Sequence, residues 1–303
     1  MEKFSLIVPC YNEQDVILKT YKETTTALSA LEEDYELIFI NDGSNDNTLN
    51  ILKEIAIHDK KVKIIDFSRN FGQQAALSAG LDNADGDYVG FMDGDLQDPP
   101  ILFKDMLFKI KNEGYDVVYG TRKDRACESK FKKISSSCYY KILDMFSEIK
   151  IPTDTSDFRV MTKQVADEVR NLKEKSRYMR GLVSWVGFKQ GAIYFDRPAR
   201  YAGETKYNLK NMLLLAIDGI FSFSYAPSKL PIVFSILTFI MSFFILFITL
   251  FNRVIANALN GFFILFMSSF VLLSTWIISE YAYRILKEVR ARPTYIIKEK
   301  INF

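Results

Sequence analysis

The sequence holds one histidine, three cysteines and two tryptophans, and each scarcity removes a class of chemistry. With His58 alone, Ser-His-Asp and Cys-His triads and an HExxH metal site are excluded. His58 stands beside Asp59, Lys60 and Lys61 and is expected on an exposed helix end. Cys10, Cys127 and Cys138 are odd in number, widely spaced and form no CxxC. Neither a disulfide framework nor a zinc knuckle is expected, and small buried hydrophobes in a reducing cytosolic setting fit instead. No GxxxxGKS/T and no GxGxxG occurs, which disfavours P-loop hydrolysis and the usual dinucleotide fingerprint. One-sided charge is missing too: 39 basic against 37 acidic residues leave +2, too even for a dedicated nucleic-acid binder. A secretory leader is not expected, because Pro9, Asn12 and Glu13 interrupt the apolar run Phe4–Val8 and no small-residue cleavage site follows. That run reads as a buried strand, with Pro9 removing a donor and ending it.

What is present is a folded chain of 303 residues, 49% hydrophobic, long enough for one large domain with an appendage or for two domains. Short β-rich runs fall at Phe4–Cys10, Glu36–Asn41, Val62–Phe67, Tyr88–Met92 and Val117–Gly120. Helical spacing fills stretches between them, as in Val16–Leu31 and Thr48–Ile57. This alternation predicts βαβ units and a parallel sheet covered by helices, with ligands bound beyond the carboxyl ends of the strands. Polar clusters sit at those ends: Tyr11-Asn12-Glu13, Asn41-Asp42-Gly43-Ser44, Ser68-Arg69-Asn70 and Asp93-Gly94-Asp95. Residues 123 to 207 are more irregular and read as a substrate-side extension of the same domain.

Pro231–Phe251 and Gly261–Ser279 carry no charge, and each approaches or meets the length of about 20 residues that crosses a hydrocarbon core. A turn is expected between them, making an antiparallel hairpin. Lys229 precedes the first span, while Arg284, Lys287, Arg290 and Arg292 follow the second and the turn holds only Arg253. The positive-inside rule then places both termini and the soluble domain in the cytoplasm. Just before the hairpin, Leu209, Met212, Leu213, Ala216, Ile217 and Ile220 form an amphipathic series suited to an interfacial helix or to an ordinary core helix.

Asp93-Gly94-Asp95-Leu96-Gln97 follows a strand pattern. Positions 93, 95 and 97 share parity, so an extended chain would point all three to one side. Two carboxylates and an amide oxygen are hard donors, suited to Mg²⁺ or Mn²⁺. Tyr11 offers a ring for stacking, and Asp42 an acceptor for a base or ribose edge. Asn12 and Asp46 are expected as helix caps, Asn12 above all. Lys132 and Ser136 are four residues apart on an expected helix from Glu128 to Phe146, which puts a cation beside a hydroxyl; a solvated basic face is the plainer alternative.

Taken in order, Val8-Pro9-Cys10-Tyr11-Asn12-Glu13, Asn41-Asp42-Gly43-Ser44, Asp93 through Pro100, Asp157-Phe158-Arg159 and Gly203-Glu204-Thr205-Lys206-Tyr207 resemble the family-2 glycosyltransferases acting on polyprenyl phosphates, the bactoprenol glucosyltransferases and dolichyl-phosphate mannose synthases. The resemblance covers essentially the whole chain. It implies an α/β fold of GT-A type, a Rossmann-like nucleotide-diphospho-sugar transferase domain plus a C-terminal two-helix transmembrane hairpin. The implied division is a catalytic domain over 1–207, a juxtamembrane interfacial region over 208–228, two spans within 229–283 (231–251 and 261–281) and a cytoplasmic tail over 284–303.

The resemblance also implies roles. Pro9, Tyr11, Glu13, Ile40 and Asp42 line the nucleotide pocket, Asp93 and Gly94 lie along ribose and donor sugar, and Asp95 and Gln97, with Asp93, hold Mg²⁺ or Mn²⁺ on the donor diphosphate. Arg122, Arg200 and Lys206 face phosphate charge, Asp157 orients groups, and Arg122, Lys132 (or its neighbour Lys133) and Ser136 meet the lipid phosphate. The implied reaction is inverting transfer of a sugar, UDP-glucose being the first choice of donor, onto undecaprenyl phosphate at the inner membrane face for cell-envelope glycan modification. UDP-N-acetylglucosamine, UDP-galactose and GDP-mannose remain open, and the branch hints at a homotetramer. A processive polysaccharide synthase is the competing enzyme, but neither Trp185 nor Trp276 sits in a QxxRW pattern. A non-catalytic nucleotide-binding scaffold is the competing non-enzyme, and the intact acidic and basic positions speak against it.

Overall fold

The computed structural model describes residues 2–122, 155–175, 177–196, 226–251 and 253–303. Two compact units divide the chain: residues 1–140, 149–212 and 293–303 form one, and residues 141–148 and 213–292 the other.

In the first unit, β1 (Lys3–Cys10), α1 (Ile17–Ser29), β2 (Asp34–Asn41), α2 (Thr48–His58), β3 (Val62–Phe67), α3 (Gln73–Asn83) and β4 (Tyr88–Phe91) alternate as the periodicity predicts. A single 3-10 turn (Pro100–Leu102) leads into α4 (Phe103–Glu113) and β5 (Val117–Arg122). After them come β6 (Thr155–Thr162), α5 (Lys163–Asn171), α6 (Met179–Trp185), β7 (Gln190–Phe195) and, near the chain's end, β8 (Ile297–Ile301). Among the described residues the sheet has eight strands, in the order β7-β5-β6-β4-β1-β2-β3-β8.

The central strands are apolar on both sides. Phe4, Leu6 and Val8 join Leu37, Phe39, Ile64 and Phe158 in one core cluster. Their neighbours Ile7, Ile38, Ile40 and Ile65 are equally buried. A Cβ on Gly80 would lie 2.2 Å from Ile7 Cγ2, so a residue without a side chain lets α3 settle against β1. Across the core, tilted and edge-on rings run from Phe4 to Phe103, Phe158 and Phe195 at centroid spacings of 5.3, 5.0 and 5.7 Å.

Several expectations need correction. The sheet is mixed: β6 enters between β4 and β5 antiparallel to both, and β8 runs antiparallel to β3. Pro9 does not end β1, which continues to Cys10 and pairs Pro9 with Ile40. On the β4 side the ladder stops at Ile7 and Phe91, with Met92 N–H bonded to Ile7 O. The missing donor of Pro9, two residues further on, faces the side where that ladder has already ended. The end of the chain is not a free tail. Through β8, Glu299 pairs with Lys53 at 2.6 Å, the Tyr295 ring stacks on Phe67, and Asn302 Nδ2 donates to Ala56 O and Val62 O.

Glu36, on β2, has its carboxyl inside a buried cluster. Burial alone would raise its pKa, but the Asp85 N–H, the Lys3 and Lys63 ammonium groups at 2.7 and 2.8 Å and the Ser5 hydroxyl outweigh it and hold the value at about 2. A carboxyl depressed on folding contributes stability that is fully present above its unfolded value near 4.5 and is lost as pH falls toward 2. Glu36→Gln is therefore expected to cost about 2–3 kcal/mol at pH 7. It should also flatten the dependence of Tm on pH between 4.5 and 2, and melts across that window check both.

The second unit contains α7 (Ala226–Phe251) and α8 (Arg253–Arg290). Both are long and apolar enough to cross a membrane. Only 6% of the richest window in either helix is buried, the opposite of a soluble core helix. Ile232, Phe239, Phe244, Leu265 and Leu272 are exposed, while Phe234 and Phe270 stack between the helices at 4.4 Å. The expected loop after residue 251 is itself helical: α8 starts at Arg253 and runs past the apolar stretch to Arg290, so it is longer than the expected span. The expected helices at 128–146 and 209–220 lie outside the described residues.

Candidate active site

The carboxyl ends of β1, β2 and β4 and the amino end of the antiparallel β6 bring together the acids that the motifs single out. β4 stops at Phe91, and the chain turns through residues 93–96, with Leu96 at φ +58°. The segment is thus not extended, which corrects the expected parity argument. Its burial still alternates: Asp93, Asp95 and Gln97 are partly exposed, whereas Gly94, Leu96 and Asp98 are buried. Gly94 is held by a Thr20 hydroxyl on its carbonyl at 2.8 Å, and Asp95 Oδ1 accepts the Gln97 N–H at 3.1 Å.

Asp157 belongs to β6, on the face opposite Phe158, and is almost fully buried. Arg180, from α6, donates through Nε to its Oδ1 at 2.9 Å and through a terminal nitrogen to Oδ2 at 3.4 Å. Burial would raise the Asp157 pKa, but the charge and hydrogen bonds of Arg180, helped by Arg159 and Gln74, hold it below the ordinary value. Asp93 moves the other way. Burial and the nearby charges of Asp98, Asp157 and Asp95 push it well above the usual carboxylate range.

Among the described residues no group of three or more His, Cys, Asp or Glu comes together as a ready metal cage. The donor set does fit a hard divalent ion. Asp95 and Gln97 offer oxygens, Asp93 lies beside them, and an ion that keeps waters and binds phosphate needs only one or two protein carboxylates.

Asp42, at the end of β2, is buried and accepts the N–H groups of Phe71 and Gly72 at 2.6 and 2.9 Å. Burial raises its pKa and those two bonds pull against the rise. In this structure both of its oxygens hold the β3–α3 connection, a positioning part that sequence reasoning did not assign. Ile40 is fully buried, so what it can offer a ligand is backbone. Asn12 is not a cap, because α1 begins only at Ile17, after a turn on Glu13 O. With φ +51°, Asn12 joins two strand exits: its N–H meets Ser44 Oγ at 3.0 Å and its Oδ1 accepts the Asn45 N–H at 2.8 Å. Asp46 is not the cap either: the N-cap of α2 is Asn47, and Asp46, one residue before it, accepts the Thr48 N–H and hydroxyl on Oδ1 at 3.0 and 2.6 Å. Glu13 N–H donates to the Thr48 hydroxyl, and Tyr11 is partly exposed beside it.

Arg122 closes β5 opposite Phe195, and its side chain is outside the description. Lys132, Ser136, Arg200 and Lys206 also lie outside the described residues. Sequence reasoning missed Gln73, Gln74 and Arg180. Only the Ser68-Arg69-Asn70 cluster just before α3 hinted at the first two, and nothing at the third.

A family model described as "Glycosyl transferase family 2" matches residues 5–170. The uncharacterized glycosyltransferase YkcC of Bacillus subtilis is 46% identical over 98% of this chain and 94% of its own length. An uncharacterized glycosyltransferase of Synechocystis is 40% identical over 98% of this chain and 95% of its own. The SfII prophage-derived bactoprenol glucosyl transferase of Shigella flexneri is 35% identical over 98% of each chain.

Proposed function

The chain belongs to glycosyl transferase family 2 and is a glycosyltransferase, and from that premise we propose that it moves a sugar from a nucleotide diphosphate onto a polyprenyl phosphate. The observation that carries the donor half is the Gln73 amide set between Asp93, just after β4, and Asp157, near the start of β6, with Asp95 accepting the Gln97 N–H on the same turn. Full-length likeness to bactoprenol glucosyl transferases, together with two exposed apolar helices, supports the lipid half. UDP-glucose is the favoured donor and undecaprenyl phosphate the favoured acceptor, with the product serving cell-envelope glycan modification.

An acceptor phosphate oxygen attacks the anomeric carbon, the bond from that carbon to the diphosphate breaks, and the nucleoside diphosphate leaves. Single displacement inverts the centre, giving a β-linked lipid-phosphate sugar from an α-linked donor. The acceptor is ionised near neutral pH, its second pKa being about 6, so no residue has to take a proton. Asp157 suits that scheme, since Arg180 occupies both of its oxygens and leaves it as an orienting charge. Asp95 and Gln97, with Asp93, would hold Mg²⁺ or Mn²⁺, which supplies charge compensation for the departing diphosphate when bound. Arg122, Arg200 and Lys206 are assigned to offset repulsion between the two phosphates, and Lys132 and Ser136, with Arg122, to seat the lipid phosphate. Tyr11, Pro9, Glu13 and the backbone at Ile40 and Asp42 are assigned to the nucleoside.

A polyprenyl tail stays in the bilayer, each buried methylene contributing about 0.8 kcal/mol. The apolar helices bring the enzyme to it, and the basic residues flanking them favour the inner face. A homotetramer is the assembly we assign to the hairpin.

Purified protein with undecaprenyl phosphate and a panel of radiolabelled nucleotide sugars tests the assignment. Label is expected in a lipid extract from UDP-glucose and from no other donor. Label appearing only in a polymer, or only without the lipid, contradicts it.

A further inference from the structure

Residues 71–74, where β3 passes into α3, reach the ends of three strands at once: the exits of β2 and β4 and the start of β6. Phe71 and Gly72 hold Asp42. The Gln73 amide Nε2 donates to Asp93 Oδ1 at 2.8 Å and lies 3.5 Å from Asp157 Oδ2. Gln74 Nε2 reaches the same Asp157 oxygen at 3.4 Å, and its Oε1 accepts the Met179 N–H at 2.8 Å, which fixes the first turn of α6. Arg180, the next residue, closes the other side of Asp157. An NH₂ group carries one hydrogen for each of two acids, whereas two facing carboxylates have none to share. Gln73 is also the first residue of a helix in which Ala75 and Ala76 are buried, so its backbone is fixed.

We propose that Gln73 is a positioning residue for sugar transfer, its single amide setting the spacing of Asp93 and Asp157 while Arg180 holds Asp157 from the far side. This rests on the transfer reaction proposed above. It extends the site from the motif acids to a helix that no motif marks. Gln73 acts through the two acids and through the donor they face. Its loss therefore falls on the donor half of the reaction and spares the lipid half.

Gln73→Glu keeps the shape and replaces the donor by an acceptor. It is expected to lower kcat about 100-fold and raise the donor KM about tenfold, leaving the acceptor KM unchanged. A merely structural role would reduce the active fraction and move neither KM, and that result would overturn the proposal, as would activity within about threefold of wild type. Arg180→Lys retains charge without the two-pronged grip and is expected to lose about tenfold in kcat. Thermal melting of Gln73→Glu, Asp157→Asn and the double variant reads the bridge without any substrate. In the double variant the amide introduced at position 157 can donate to the carboxylate introduced at position 73, which relieves the repulsion between those two positions while that against Asp93 remains. That protein should melt well above the sum of the single losses, and strict additivity would refute the bridge. Should the wild type label no lipid from any donor, the transfer reaction falls and the catalytic role of Gln73 with it, while the melting cycle still decides whether the bridge exists.

Discussion

Asp95→Ala is expected to lower sugar transfer at least about 1,000-fold while leaving the protein folded. The two halves of that outcome separate because of where Asp95 sits. Its side chain is only partly buried, and Oδ1 accepts the Gln97 N–H two residues on. Losing that bond costs about 1 kcal/mol, a small part of the stability of a domain this size. The functional loss is larger because Asp95 is one of only two carboxylates assigned to the cation, and Asp93 with the neutral Gln97 would hold it far more weakly. Wild type stripped by a chelator should fall to the level of the variant and recover with Mn²⁺ or Mg²⁺, while the variant should lose nothing further. Full activity in the stripped wild type would remove the cation from the reaction, and near-normal activity of Asp95→Ala would remove this ligand.

Gly43→Ala should be the most damaging substitution in the strand-exit loops, at about 3 kcal/mol or more, a fall in Tm of roughly 6–12 °C. Gly43 has φ +64°, and a Cβ there would stand 2.4 Å from the Arg69 carbonyl carbon and 2.6 Å from the Asn70 nitrogen. Those are backbone atoms, so the 69–70 segment itself must move. It is the lead-in to Phe71 and Gly72, so Asp42 would lose its partners and the turn carrying Gln73 would shift. Gly72 is the control. At φ +95° and ψ 157° it has nothing within 4 Å of a would-be Cβ, so Gly72→Ala carries only the conformational cost of a backbone region that favours glycine, about 1–3 kcal/mol. Melting the two variants side by side checks the difference, and equal losses would mean that the close approach at Gly43 is relaxed in solution.

Much of this was legible in the residues because the relevant signals are local. The β-rich runs and helical spacing of the first 122 residues mark the elements that form, within a residue or two at most ends. Apolar purity marks α7 and α8. Reading stopped where tertiary context decides. β6 was invisible as a strand because Ser156, Asp157 and Arg159 break its apolar character while being buried, Asp157 against Arg180 and Arg159 on main-chain carbonyls of Ser156 and Asp157. β8 reads Ile-Lys-Glu-Lys-Ile, an edge strand whose charges face partners such as Lys53 that only the fold supplies. Gln73 and Arg180 escaped notice for the same reason: an amide or a guanidinium acquires meaning from the carboxylate it meets, and that meeting spans 84 residues for Gln73 and Asp157.

The strand at the chain's end has a bearing on biosynthesis. Translation delivers β3 early and β8 only after both helices of the hairpin have been made. Until then the β3 edge offers unpaired backbone donors and acceptors, a template for mispairing with other nascent chains. A chain cut short between the hairpin and β8 keeps every motif acid and leaves an open seam. Quality control that samples exposed edges would therefore recognise molecules lacking β8 before any substrate is bound.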